Sequence, residues 1–183
     1  MQNFIKLTSL IMVVVAMLFL SAGCFAEKNA STTTSEAVAD ANRFPDFTTV
    51  DIEGNSVTQD IFKDKKVTVI NIWGTFCPPC IGEMPELGQW AREMPADAQI
   101  IGLVCDVSDK NDKDTINEAR IITAEANAKF VNIIPNGDIM RYLEQVEAVP
   151  TTIFVNSKGE IIGEMVVGAN VPKYKELLKR YLK

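Results

Sequence analysis

The stretch Trp73-Gly74-Thr75-Phe76-Cys77-Pro78-Pro79-Cys80 decides how the rest of the chain is read. It follows the apolar run 67–72, which reads as a buried strand, and it opens a helical pattern through Ile81, Met84, Leu87 and Trp90. Two cysteines therefore stand at a strand-to-helix turn. Residues 98–106 (Ala-Gln-Ile-Ile-Gly-Leu-Val-Cys-Asp) supply a second buried strand, so strand, helix and strand form a βαβ unit with a right-handed crossover. The helix is expected over 80–93, kinked where Pro85 lacks a backbone donor.

Upstream, residues 44–52 alternate like a strand, Glu53-Gly54-Asn55 is a turn signal, and 56–58 can pair back, which predicts an N-terminal hairpin. Residues 60–65 make a short helix or turn. Downstream, 109–128 is polar, with Ile116, Ala119, Ile122 and Thr123 suggesting an amphipathic helix. A short strand is expected over 129–134 and a helix over 138–146. Residues 151–156 read as a strand, 157–160 as a tight turn, and 161–167 as the antiparallel partner. Residues 171–183 close the chain as a helix with Tyr174, Leu177, Leu178 and Tyr181 inward. No internal repeat is visible.

A chain of 183 residues, 47% hydrophobic, has room for one domain of ordinary size and an N-terminal addition. Its net charge is −6, and without a basic run it has no electrostatic footprint for nucleic acid. The chain contains no histidine. That excludes His-ligated zinc, copper or haem, a Ser-His-Asp triad and a Cys-His pair. Acid–base help for the cysteines must come from carboxylates, backbone or water.

Residues 1–23 carry one basic side chain, Lys6, and the apolar run 10–20, which is short for a membrane span and suits a signal peptide. Leu20-Ser21-Ala22-Gly23-Cys24 then resembles the lipobox of bacterial lipoproteins, in which the cysteine is diacylated and becomes the new N-terminus. The competing reading is an ordinary cleavage site followed by a chance cysteine. Two acyl chains make anchoring stable rather than marginal. Residues 24–43 lack an apolar period and read as a lipid-anchored tether with an r.m.s. reach of about 25 Å. The domain is expected over 44–183.

These residues together resemble the thioredoxin superfamily: a strand ending in Trp73, Cys77-Pro78-Pro79-Cys80, Pro85 five positions on, Val149-Pro150-Thr151 before a late strand, and Val167-Gly168-Ala169. Asn71 through Cys80 with Glu83-Met84-Pro85-Glu86-Leu87 is more closely similar to the membrane-tethered TlpA/ResA branch of thiol-disulfide oxidoreductases. The likeness covers 44–183. It implies an α/β, thioredoxin-like fold: a central mixed β-sheet flanked by helices, with the N-terminal β-hairpin as an extension and an insert after the second core strand.

The resemblance also implies that Cys77 and Cys80 form a redox-active disulfide. As a structural staple the pair would be poor, since closing about four residues yields roughly 2 kcal/mol. A zinc site lacks a second ligand pair, so no metal and no cofactor is expected. At a helix N-terminus Cys77 would be favoured as thiolate and attack a substrate disulfide, with Cys80 resolving the mixed disulfide. Thioredoxin carries a buried aspartate where Asn71 stands, and asparagine cannot accept that proton. Glu83, matching the glutamate of the ResA-like motif, is the candidate for tuning the thiols or moving the Cys80 proton; a surface glutamate near the dipole is the competing reading. Pro150 aligns with the superfamily's cis-proline, which sets the backbone of Val149 beside the disulfide to pair with substrate. Trp73 and Phe76 are candidates for the substrate surface, with core packing a rival for Trp73. Cys105 reads as an inert, buried thiol.

The expected function is an extracytoplasmic thiol-disulfide oxidoreductase, lipid-anchored at the cell membrane through Cys24, a monomer that reduces disulfides in exported proteins. The resemblance implies clients of the apocytochrome c or methionine sulfoxide reductase type and an electron donor of the DsbD/CcdA type. A dithiol oxidase or isomerase is the alternative. A peroxiredoxin-like peroxidase is disfavoured by Gly74, where a threonine is usual, and a copper-binding module by the missing histidine.

Overall fold

The computed structural model describes residues 42–183. The expected signal peptide, the expected lipidation site Cys24 and nearly all of the expected tether lie outside the described residues. Asn42 and Arg43, read as the tether's end, are tied into the domain. Ile161 donates its N–H to the Asn42 carbonyl at 2.7 Å, and Arg43 forms a β-bridge with Glu160 and bonds the Lys158 carbonyl.

The hairpin comprises β1 (Thr48–Val50) and β2 (Ser56–Thr58), paired antiparallel. It is shorter than the alternation suggested. Phe44 and Phe47 are not in a strand; both are buried, and they meet each other and Phe62 edge to face at 5.9–6.2 Å. A 3-10 turn, Gln59–Phe62, follows β2.

Three long strands make the centre of the main sheet: β3 (Val67–Trp73), β4 (Ala98–Val104) and β6 (Thr151–Asn156). Each is buried along nearly its whole length, which is why each reads as a continuous apolar run. β3 pairs parallel with β4 and antiparallel with β6; with β5 (Asn132–Ile133) and β7 (Val166–Val167) at the edges, the order of the five-stranded mixed sheet is β5-β4-β3-β6-β7. Between β3 and β4 lies α1 (Pro78–Glu93), which runs through Pro85. α2 (Lys113–Glu125) leads to β5 (Asn132–Ile133), which pairs parallel with β4. The region after the second core strand therefore joins the sheet and extends it. α3 (Gly137–Leu143), β7 (Val166–Val167) and α4 (Val171–Tyr181) complete the fold.

Residues 161–167 do not form one strand. Ile161 makes a single bridge to Val155, and only Val166 and Val167 pair with β6. Gly163 interrupts them at φ +69°, where a Cβ would fall within 1.9 Å of the Tyr181 hydroxyl.

Pleating sends alternate residues of β3 to two cores. Val67, Val69 and Trp73 pack with Met84, Leu87, Tyr174 and Leu177 under α1 and α4. Ile70 and Ile72 pack with Ile101, Leu103, Ile139 and the Phe44–Phe47–Phe62 cluster on the other face. Asn71 lies on the first face, polar in an otherwise apolar position.

Candidate active site

Cys77 is the N-cap of α1, and the Cys80 N–H points at its Sγ at 3.3 Å. The sequence builds this end of the helix with Pro78 and Pro79, whose missing donors cost nothing in the first turn. Cys77 and Cys80 are joined by a disulfide. Cys80 is fully buried and Cys77 is 4% exposed, so the more buried sulfur is the one expected to resolve. The turn before them is pinned from β4's end: Asp106 accepts the Thr75 N–H at 3.1–3.2 Å and its hydroxyl at 2.7 Å. This buttress left no sequence signal.

The Val149–Pro150 peptide is cis. It sets the Val149 carbonyl 3.5 Å from Cys77 Sγ, while the β3–β6 ladder begins two residues on, at Thr151. The Gly168 N–H holds the Pro150 carbonyl at 2.8 Å, fastening this loop from the end of β7. Phe76, beside Cys77, is 67% exposed, and Val167 is also exposed. Trp73 departs from the expectation of a substrate-facing residue. It is fully buried and donates its Nε1–H to Asn132 Oδ1 at 2.9 Å, so it is core beneath the site. Gly102 leaves room for this pair: a Cβ there would come within 1.9 Å of Asn132 Oδ1 and 2.9 Å of Trp73 Nε1.

Glu83 is not a surface glutamate. It stands one helical turn after Cys80, on the same face, and is 7% exposed. Asn71 donates Nδ2–H to its Oε1 at 2.9 Å and to Thr152 Oγ1 at 3.1 Å, and the Tyr174 hydroxyl lies 3.1 Å from its Oε2. Burial holds the Glu83 carboxyl above the ordinary carboxylate range; the bonds from Asn71 and Tyr174 pull the other way, and nearby Glu86 adds to the rise. Asn71 thus keeps the place of an acid but serves as a donor to one. Its own Oδ1 is buried without a partner. Tyr174, read from sequence only as an inward apolar position, contributes the other contact.

Cys105 is partly buried, the one free cysteine among the described residues; burial, with the neighbouring Asp106 charge, pushes its thiol up to about 11. At neutral pH it is not a nucleophile. Among the described residues no group of acidic, cysteine or histidine side chains could hold a metal.

The Redoxin family model matches residues 39–178. The chain belongs to the Redoxin family. Thiol-disulfide oxidoreductase ResA from Bacillus thuringiensis (strain Al Hakam) is 29% identical over 162 residues, covering 88% of this chain and 83% of the relative. A thiol:disulfide interchange protein of the thioredoxin family from Chlorobium tepidum superposes with TM-score 0.63 at 17% identity, over 78% of this chain and 97% of its own. The exposed lipoprotein thioredoxin of Streptococcus pneumoniae superposes with TM-score 0.57 at 18% identity, over 72% and 99%. The fold is thioredoxin-like, and within the superfamily the chain is TlpA/ResA-like. It is an oxidoreductase whose chemistry is thiol-disulfide exchange at Cys77 and Cys80.

Proposed function

We propose that this oxidoreductase works outside the cytoplasm as a reductant of disulfides in exported proteins. The single observation that carries the exchange mechanism is the buried Glu83 carboxyl, one turn from the buried Cys80 and raised in pKa by its burial, where it can take a proton from a resolving thiol.

In the reduced protein Cys77, at the helix N-terminus, is the thiolate. It attacks one sulfur of a client disulfide; the other leaves as a thiolate and takes a proton from water. The Cys80 thiol gives its proton to the Glu83 carboxylate, and the new thiolate attacks Cys77 Sγ. The first client sulfur leaves as a thiolate and takes the proton held by Glu83, and the protein holds the Cys77–Cys80 disulfide. The client gains two electrons and two protons. Val149 offers its backbone to the client chain beside Cys77, and the exposed Phe76 gives that surface an apolar contact.

The relatives' names support thiol-disulfide exchange, one of them in an exposed lipoprotein, and Leu20 to Cys24 supports a lipid anchor. Clients of the apocytochrome c or methionine sulfoxide reductase type, and reduction by a membrane thiol transporter of the DsbD/CcdA type, fit this reading, with the domain acting as a monomer. The measured reduction potential separates it from the oxidase or isomerase alternative: about −250 mV or lower is expected, whereas about −120 mV would make it an oxidant. Substitution Cys80→Ser in cells should leave clients linked to Cys77 as mixed disulfides, seen as reductant-sensitive bands that Cys77→Ser abolishes. If Cys80→Ser captures nothing while the wild type turns over, the assignment of attacking and resolving sulfurs fails.

A further inference from the structure

The polar contacts around the Tyr174 oxygen do not close for an ionised Glu83. That oxygen has three partners at 3.1 Å or less, with the Thr152 hydroxyl also facing it: the Gly168 carbonyl at 2.7 Å, Glu83 Oε2 at 3.1 Å, and the Asn170 N–H, which donates to it at 3.1 Å. A phenol has one proton to give and two lone pairs to receive. When Glu83 is a carboxylate, two acceptors compete for that one proton. When Glu83 carries a proton on Oε2, all three contacts are satisfied: Glu83 and Asn170 donate to the phenol, and the phenol donates to Gly168. Among the described residues nothing else bonds the Gly168 carbonyl, and Gly168 is the residue whose N–H fastens Pro150.

We propose that the Tyr174 hydroxyl is a two-position switch: it bonds the Gly168 carbonyl when Glu83 is protonated and turns to the Glu83 carboxylate when Glu83 is charged. The charged acceptor wins because a hydrogen bond to a carboxylate is roughly twice as strong as one to a neutral carbonyl. Transfer of the Cys80 proton to Glu83 therefore tightens the segment that holds the client-facing backbone, and its loss from Glu83 loosens that segment. Tyr174 is a positioning residue, acting through Glu83 and Gly168. The proposal rests on the reading of Glu83 as the proton acceptor of Cys80.

The other groups facing Glu83 leave this intact. From β3 and β6 come the neutral Asn71 and Thr152, and from α1 comes Glu86, paired with Lys175 of α4 at 2.8 Å; the Glu86 charge adds to the rise at Glu83 and so favours its protonated form. Tyr174 keeps its own proton, because burial raises its pKa above the ordinary phenol value.

Gly168-Ala169 is the only Gly-Ala pair in the 183 residues, so 13C′-glycine with 15N-alanine labelling yields one carbonyl-to-amide cross-peak. In the full chain in detergent, the Gly168 carbonyl shift should titrate with the same midpoint as the Glu83 side-chain carboxyl carbon. In Tyr174→Phe the carbonyl titration should vanish, and the Glu83 midpoint should rise by about one pH unit for the lost donor. A Gly168 signal that stays flat while wild-type Glu83 titrates overturns the switch, and this needs no variant to fold. The acid–base reading is judged separately. If Glu83→Gln leaves the pH profile of Cys80 alkylation unchanged, that reading falls, and the proposal loses the catalytic step it rests on.

Discussion

Glu83 sets the chemistry at the scale of single residues because its environment is arranged for a neutral acid that ionises with difficulty. Its ordinary pKa in an unfolded chain is about 4.3, and burial raises it in the fold. The folded state then holds the proton over a pH range where the unfolded state has lost it. The stability linked to this group is fully present below the unfolded value and is lost as pH rises through the folded one. Glu83→Gln removes that loss. Relative to wild type, the variant's thermal midpoint should climb as pH goes from about 4 to about 7. A difference that stays constant across that range would mean the carboxyl is not buried as a neutral acid. The same residue shows where sequence reading stops. The Cys-Pro-Pro-Cys stretch and its place before a helix are local, and helical spacing alone puts Glu83 on the Cys80 side of α1. Whether that side chain is buried, and against what, depends on Asn71 at 12 and Tyr174 at 91 residues' separation. No periodicity joins them, and Tyr174 among Leu177 and Leu178 looks like one more apolar position.

At the scale of elements, the strands that run through the core were legible and the edges were not. β3, β4 and β6 are buried on both faces, so their apolar runs declare them. Residues 44–47 alternate as a strand would, but a cluster of three phenylalanine rings satisfies the same apolar positions without any pairing. The redox turn rests on two neighbours of β3 and β4 that no motif announces, Asp106 under Thr75 and Asn132 under Trp73. Gly102 tests the second. Gly102→Ala drives a Cβ into the Asn132 amide, which is itself fixed by Trp73 and by the Phe130 carbonyl at 3.0 Å, so it cannot swing away freely. Overpacking of this kind costs about 1–3 kcal/mol. The variant should show a lower denaturant midpoint with an unchanged slope, and Asn132→Ala in the same chain should recover part of the loss, a non-additivity expected of residues in contact. Simple addition of the two losses would mean the amide is not the obstacle.

For the whole molecule, the question is what brings this site to its clients. Among the described residues no helix is long and apolar enough to cross a membrane. The run of residues 10–20 is short for a span, and Cys24 follows it directly after three small residues. Diacylation at Cys24 would then supply the membrane attachment, with two chains enough to make it stable. Attachment would also raise the local concentration of the domain at the proposed membrane-embedded electron donor without any new contact, by a factor of about 10²–10⁴. Two measurements separate these effects. Cys24→Ala should abolish incorporation of labelled fatty acid and move the protein out of the membrane fraction. The purified variant should still reduce a small disulfide at the wild-type rate, because Cys24 lies outside the domain of residues 44–183 that carries the site. In cells, however, the fraction of Cys77 and Cys80 held as thiols should fall, since the donor must now find the protein by diffusion. A variant that stays in the membrane fraction would refute the anchor. One that leaves the membrane yet remains as reduced as wild type would show that its electrons come from a soluble source.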